Sequence, residues 1–302
     1  MDHTDLDISA SLDTDQSIRP ITDKEFSLFQ TLIHQVAGIY LCPVKKALLV
    51  GRLNKRLREL GLKSFSEYYR LVQEGGEEEL IRLLDSVSTN ETQFFRQPRQ
   101  FRFIEEQIIP QWSARAASHL MPRRIRAWST ACSTGQEPYS IAMVLLSHLP
   151  PSSGWTIEVL ATDLSTRVLK QARKAIWPIE KAQEIPHHYL KSYMLKGTGN
   201  QEGMMKAGPE IRSIIQFERM NLNDEVYPVT GLFDLIFCRN VLIYFDIKSK
   251  TPVINRLIAH LAPGGYLFLG QVETLYGLTD RVQSIIPTVY VHTDPVNPEI
   301  KK

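Results

Sequence analysis

From residue 124 onward, short apolar runs alternate with longer amphipathic stretches, and no other feature constrains the fold as strongly. The runs at 125–131, 157–162, 214–218, 233–238, 266–270 and 288–292 read as strands. The stretches at 136–149, 165–175 and 246–261 have helical spacing. Continuous apolar strands separated by helices predict an α/β domain with a mostly parallel, doubly wound sheet buried on both faces. Such sheets bind ligands beyond the carboxyl ends of their strands, so the residues after each strand are the first candidates for function.

Upstream the texture is helical, over about 22–91. Thr22 with Glu25, and Ser64 with Glu67, have capping-box spacing. Leu49, Leu53, Leu57 and Leu60 make one apolar stripe, and Arg52 and Arg56 share another face with Lys55 and Arg58 nearby. Gly61 stops that helix. The chain therefore divides into an acidic, disordered tail (1–18), a helical domain (19–89), a linker with a helix (90–123) and a sheet domain (124–302). The segment of about 178–213, with its prolines, glycines and adjacent His187 and His188, is too long for a connection. It reads as an inserted subdomain of a few antiparallel strands.

Composition narrows the function class. A net charge of +2 in 302 residues does not announce a nucleic-acid binder. Three dispersed cysteines, Cys42, Cys132 and Cys238, suit a reducing compartment. No signal peptide or bilayer-length apolar run is visible, so a soluble cytoplasmic protein is expected. No His, Cys or Asp cluster has ligand spacing, so no metal is expected.

The strand-end residues carry the chemistry. The turn Ala131-Cys132-Ser133-Thr134-Gly135-Gln136-Glu137 can turn backbone N–H groups toward a ligand, or can simply start a helix with Thr134 and Glu137 as a capping box. Asp163 ends the next strand, where a carboxylate accepts hydrogen bonds from ribose hydroxyls or caps the following helix. Arg239 and Asn240 follow the strand 233–238, and an Asn there can read an adenine edge; Asn221 and Leu222 hold the equivalent place one strand earlier. Asp246 reads as a helix cap. In the linker, Asn90-Glu91-Thr92-Gln93-Phe94-Phe95-Arg96 either buries its aromatics in a domain seam or closes a polar ligand from above.

These segments, in this order, resemble the CheR family of chemotaxis receptor glutamate methyltransferases. The matching pieces are 90–96, 131–140, 161–163, 237–246 and 261–265, together with the basic helix around Arg52-Leu53-Asn54-Lys55-Arg56-Leu57. The acidic tail and residues 113–122 look like additions to the family pattern. The resemblance implies a Rossmann-like class I S-adenosylmethionine methyltransferase with an inserted β-subdomain and an N-terminal all-α domain. It implies that Asn90, Thr92, Arg96, Glu137, Asp163, Asn221, Leu222, Arg239 and Asn240 surround S-adenosylmethionine. Arg96 and Tyr244 would lie beside the transferred methyl group. The acceptor would be glutamate on the cytoplasmic domain of a membrane chemoreceptor, met by Arg52, Lys55 and Arg56, with S-adenosylhomocysteine as the other product. The insert resembles the family's β-subdomain, which in some members docks a receptor C-terminal peptide.

Other readings fit less well. Gly197-Thr198-Gly199-Asn200-Gln201-Glu202-Gly203 has the wrong spacing for a dinucleotide fingerprint. A base-directed amino-methyltransferase would carry an Asn/Asp-Pro-Pro-aromatic turn where Arg239-Asn240-Val241-Leu242 stands, and no basic channel for nucleic acid is visible. The remaining alternatives are a receptor-binding adaptor without turnover and a methyltransferase for another acceptor.

Overall fold

The computed structural model describes residues 18–293. The acidic tail expected over 1–18 lies, but for Ile18, outside the described residues. Four helices come first: α1 (Asp23–Ala37), α2 (Lys46–Glu59), α3 (Phe65–Glu74) and α4 (Gly76–Val87). The Thr22 hydroxyl accepts from Glu25 N–H while the Glu25 carboxylate accepts from Thr22 N–H, so the first capping box closes. At α3 only half the box forms. Ser64 Oγ accepts from Glu67 N–H, but the Glu67 carboxylate accepts from Lys63 N–H instead. Leu49, Leu53 and Leu57 are buried with Phe29, Ile33, Phe65 and Tyr68 in a core of the domain's own.

A helix in two parts, α5 (Pro98–Phe103) and α6 (Ile109–Ala117), joined by a π-helical turn at Ile104–Ile108, leads into the sheet. There follow β1 (Arg124–Ser129), α7 (Gln136–His148), β2 (Thr156–Asp163) and α8 (Thr166–Lys174). The insert holds β3 (Ile176–Pro178), α9 (His187–Tyr193), β4 (Met194–Lys196), β5 (Met204–Ala207) and α10 (Pro209–Ser213). The chain closes with β6 (Ile215–Arg219), β7 (Phe233–Cys238), α11 (Ile247–Ala259), β8 (Leu261–Leu269), β9 (Val282–Ile286) and β10 (Val289–His292).

The main sheet runs β6-β2-β1-β7-β8-β10-β9, and its first five strands are parallel. β10 is antiparallel to both of its neighbours. Leu235 and Phe237 of β7 enter one core with α7, while Ile236 and Cys238 enter the other with α11. Burial on both faces is why these strands read as unbroken apolar runs. The insert is a separate three-stranded antiparallel sheet, β3-β5-β4. Strand order reverses between β1 and β7, which opens a crevice at their carboxyl ends. Among the described residues, no helix is long and apolar enough to cross a membrane.

The helical domain covers that crevice. Asn221 Nδ2 donates to Val36 C=O (2.6 Å) and Asn223 Nδ2 to Gln35 C=O (3.0 Å), so side chains after β6 satisfy the last carbonyls of α1. His34 Nε2 lies 3.2 Å from Asp246 Oδ2, and Asp246 caps α11 by accepting from Ser249 N–H (2.8 Å). Gly38 turns the chain with φ of +68°, and a Cβ there would stand 2.6 Å from the Phe245 ring.

Candidate functional site

A cleft of about 1020 Å³, open mouth included, lies over the carboxyl ends of β1, β2 and β7. Asn90, Thr92, Arg96, Glu137, Asp163, Asn221, Leu222, Arg239, Asn240 and Tyr244 all line it, although they come from the linker, four strand ends and one loop. Ala37 and Ile39 from the end of α1, and Val87 to Thr89 from the end of α4, supply a wall that sequence patterns did not indicate.

The turn after β1 is built on a non-helical start. Gly135, at φ +97°, is the N-cap of α7 and makes no side-chain cap. The Thr134–Glu137 capping box therefore does not form: Thr134 Oγ1 bonds to Gln136 Oε1. Glu137 turns inward instead, accepting from Ser129 Oγ (2.6 Å) and standing 3.4 Å from Arg239 Nη1. Burial pushes the Glu137 carboxyl above its ordinary value, opposed by Arg239 and the Ser129 bond. Ser133, at φ +49°, donates its N–H to Asp163 Oδ2 (2.8 Å) and its hydroxyl to Asn90 C=O (2.7 Å). Asp163 also accepts from Ser165 N–H, while Ser165 itself caps α8. Burial raises the Asp163 carboxyl too, against those two N–H donors.

Arg239 is almost fully buried. Its Nε donates to the Gln97 side-chain Oε1 (3.1 Å) and its Nη2 to Arg96 C=O, so it holds the linker bend through one backbone carbonyl and the next side chain. Burial lowers its pKa, and Glu137 works in the other direction. Asn90 Nδ2 and Asn240 Oδ1 are buried without any hydrogen-bond partner, and Arg239 Nη1 has only its 3.4 Å ion-pair contact with Glu137. An orphaned buried polar group costs about 1–3 kcal/mol, so two around one cleft, beside a loosely paired guanidinium, describe a site shaped for a polar ligand. Backbone strain gathers at the same place. Ser133 and Asn240 have positive φ, as do Phe95 and Gln97 on either side of Arg96.

Asn240 is held by a carboxylate that no motif announced. Glu273, 7% exposed, accepts N–H bonds from Asn240 (2.9 Å), Gly270 (2.6 Å) and Ile243 (3.3 Å). A Cβ on Gly270 would lie 2.6 Å from that carboxylate, so the knot needs glycine.

Arg96 is half-buried, and its guanidinium donates to Glu91 C=O (3.3 Å). Tyr244 lies under Lys45, whose ammonium is 5.5 Å from the ring centroid. The basic face of α2 requires correction. Arg56 is not free: its guanidinium forks onto Glu79 of α4 at 2.9 and 2.6 Å, with both side chains largely buried. Arg52 is tied to Val87 C=O and to Thr89 Oγ1 (2.8 Å), and burial lowers its pKa. Of the three residues expected to meet an acidic partner, Lys55 alone projects into solvent.

Family comparisons agree with this architecture. A family model described as "CheR methyltransferase, SAM binding domain" matches residues 90–291, and one described as "CheR methyltransferase, all-alpha domain" matches 24–88. A chemotaxis protein methyltransferase of Borreliella burgdorferi is 35% identical over 272 residues, covering 89% of this chain and 94% of that one. A chemotaxis protein methyltransferase of Escherichia coli is 37% identical over 276 residues, covering 89% and 91%. The structure of the glycopeptide N-methyltransferase MtfA with (S)-adenosyl-L-methionine is similar at 14% identity, covering 68% of this chain and 61% of that one, with a TM-score of 0.34.

Proposed function

The chain belongs to the CheR methyltransferase family, and from that premise we propose that it transfers the methyl group of S-adenosylmethionine to glutamate carboxylates on the cytoplasmic domains of chemoreceptors. The products are glutamate methyl esters and S-adenosylhomocysteine, and the setting is the cytoplasm. The observation that carries the reading is the pair of unpartnered groups, Asn90 Nδ2 and Asn240 Oδ1, on residues of one cleft that also holds the Glu137 and Asp163 carboxylates. Their chemistry fits a ligand with a cationic amino acid end and a nucleoside end. In this reading Glu137 takes the cationic amino end and Asp163 the ribose hydroxyls. The amides of Asn90 and Asn240 receive the remaining polar edges.

A sulfonium donor supplies a methyl group already activated for displacement. An acceptor carboxylate, ordinarily titrating near ~4.3, is ionised at neutral pH and needs no base. The chain's task is therefore orientation, which can supply up to roughly 7–11 kcal/mol of barrier reduction. Arg96 suits that task because its planar fork binds a carboxylate in one orientation. Its backbone is fixed by Arg239, so the fork starts from a defined place. Tyr244 offers a hydroxyl to the acceptor oxygen.

Single-turnover transfer to a purified chemoreceptor cytoplasmic domain, compared for Arg96→Lys and Tyr244→Phe, tests these roles. Each variant is expected to lose roughly 100-fold in rate, the scale of removing one oriented donor from a reacting centre. Near wild-type rates in both would remove Arg96 and Tyr244 from the reaction.

A further inference from the structure

Five large apolar side chains stand exposed on segments that are tied to the cleft: Val44 (90%), Ile243 (44%), Ile247 (73%), Val272 (77%) and Tyr276 (93%). A single exposed apolar residue needs no explanation, but five on segments tied to one reactive cleft do. The five come from three segments far apart in sequence, and backbone bonds tie those segments together. Tyr40 N–H donates to Tyr244 C=O (2.8 Å), and Ile39 bridges Phe245. Glu273, one residue after Val272, accepts from Asn240 and Ile243 N–H. Asp246 fixes the start of α11, and Ile247 is its first residue.

This rim is continuous with the cleft, because Ile39, Asn240, Val241, Tyr244 and Phe245 line the cleft itself. A protein that delivers a side chain to Tyr244 and Arg96 has to lay its own surface across the rim. The flanking charge is positive: Lys45 stands over Tyr244, and Lys248 is exposed next to Ile247. Asp246 is committed to its cap and His34, and Glu273 to three backbone N–H groups, while Glu91 faces the cleft from the linker side and is exposed.

From this arrangement we infer that the rim is the docking surface for the acceptor itself. The fitting partner is an acidic segment with apolar neighbours, which it sets on Ile247, Val272 and Tyr276 while its carboxylates face Lys45 and Lys248. The inference rests on the acceptor class proposed above and deepens it. Recognition depends on apolar residues beside the target glutamate as well as on charge, and an exposed tyrosine in such a cluster is a natural binding anchor. A short acidic peptide without apolar neighbours is therefore a poor acceptor.

The test is the Ile247→Ser/Val272→Ser/Tyr276→Ser variant of the full chain, assayed on a chemoreceptor cytoplasmic domain. Calorimetric binding of S-adenosylmethionine and sedimentation of the free enzyme are measured alongside. The expected result is a KM for the acceptor raised roughly tenfold or more, the scale of losing a docking cluster, with cofactor affinity unchanged. Unchanged cofactor affinity also shows that the variant is folded. An unchanged acceptor KM in such a variant overturns the inference. So does a wild-type dimer that the substitutions dissociate without altering the KM, because the rim would then cover a second copy. If the unaltered enzyme transfers no methyl group to the acceptor, the proposed function itself fails and the rim's role falls with it.

Discussion

Replacing Glu273 by Gln should loosen cofactor binding although Glu273 is absent from the cleft lining. Its Oε2 accepts from Asn240 and Gly270 N–H, and its Oε1 accepts from Ile243 N–H. Gln keeps one acceptor oxygen, which can hold the first two bonds without their charge assistance. Hydrogen bonds to a charged group contribute about 1.5–3 kcal/mol and neutral ones about 0.5–1.5, so the two together lose roughly 2 kcal/mol. The new NH₂ group faces Ile243 N–H, donor against donor, and removes that third bond, although water reaches the partly exposed Ile243 and offsets much of its loss. Asn240 sits in a left-handed conformation, which asparagine tolerates better than other residues with a Cβ but which the Glu273 bond helps to hold, so part of this loss appears as loop displacement. Because about 1.4 kcal/mol is tenfold in an equilibrium constant, S-adenosylmethionine should bind at least roughly tenfold more weakly. Calorimetry on the variant, with circular dichroism to establish folding, reads the effect. A folded Glu273→Gln protein that binds cofactor within about twofold of wild type would refute the reasoning.

Other consequences follow from the same contacts. Burial raises the Glu137 carboxyl, so a cationic ligand that favours its ionised form should release protons on binding. Calorimetry in buffers of different ionisation enthalpy should detect that release above the ordinary glutamate range, and Glu137→Gln should abolish it. The same raised value makes the folded state prefer the protonated acid. Without ligand, Glu137 thus lowers stability as pH rises from the ordinary glutamate value through its own, and Glu137→Gln should flatten that slope in thermal melts across acidic pH. Arg56→Ala strands the buried Glu79 carboxylate and should destabilise the helical domain by about 3 kcal/mol in urea unfolding, whereas Lys55→Ala should stay within about 0.5 kcal/mol of wild type. Gly38→Ala forces a left-handed residue with a Cβ against the Phe245 ring, and should lower the melting temperature and weaken cofactor binding together.

Much of this was legible because burial leaves a local signature. β7 occupies the 233–238 run that apolarity alone indicates, since both of its faces are covered. β8 is longer than expected: it begins at Leu261, passing through Pro263-Gly264-Gly265, which reads locally as a turn. β9 escaped because it is a largely exposed strand near the sheet's end, with no buried face to impose alternation. About half of the cleft residues follow strand ends, where topology makes position readable. Glu273 gave no signal, because its partners are backbone N–H groups, two of them about thirty residues upstream. Arg56 misled for a related reason. A cationic helix face looks the same in sequence whether it meets solvent or a carboxylate on another helix, and Glu79 lies 23 residues away. The helical domain's contribution to the cleft wall is also a tertiary fact, set by Asn221 and Asn223 gripping the end of α1.

The most direct measurement of the central claim is transfer of a radiolabelled methyl group from S-adenosylmethionine to a purified chemoreceptor cytoplasmic domain, followed by mild alkali. Carboxyl methyl esters hydrolyse under those conditions, so the account predicts label on the receptor that leaves as volatile methanol. Label that survives alkali would mean a nitrogen or other stable acceptor, and would contradict the assignment of glutamate as the substrate.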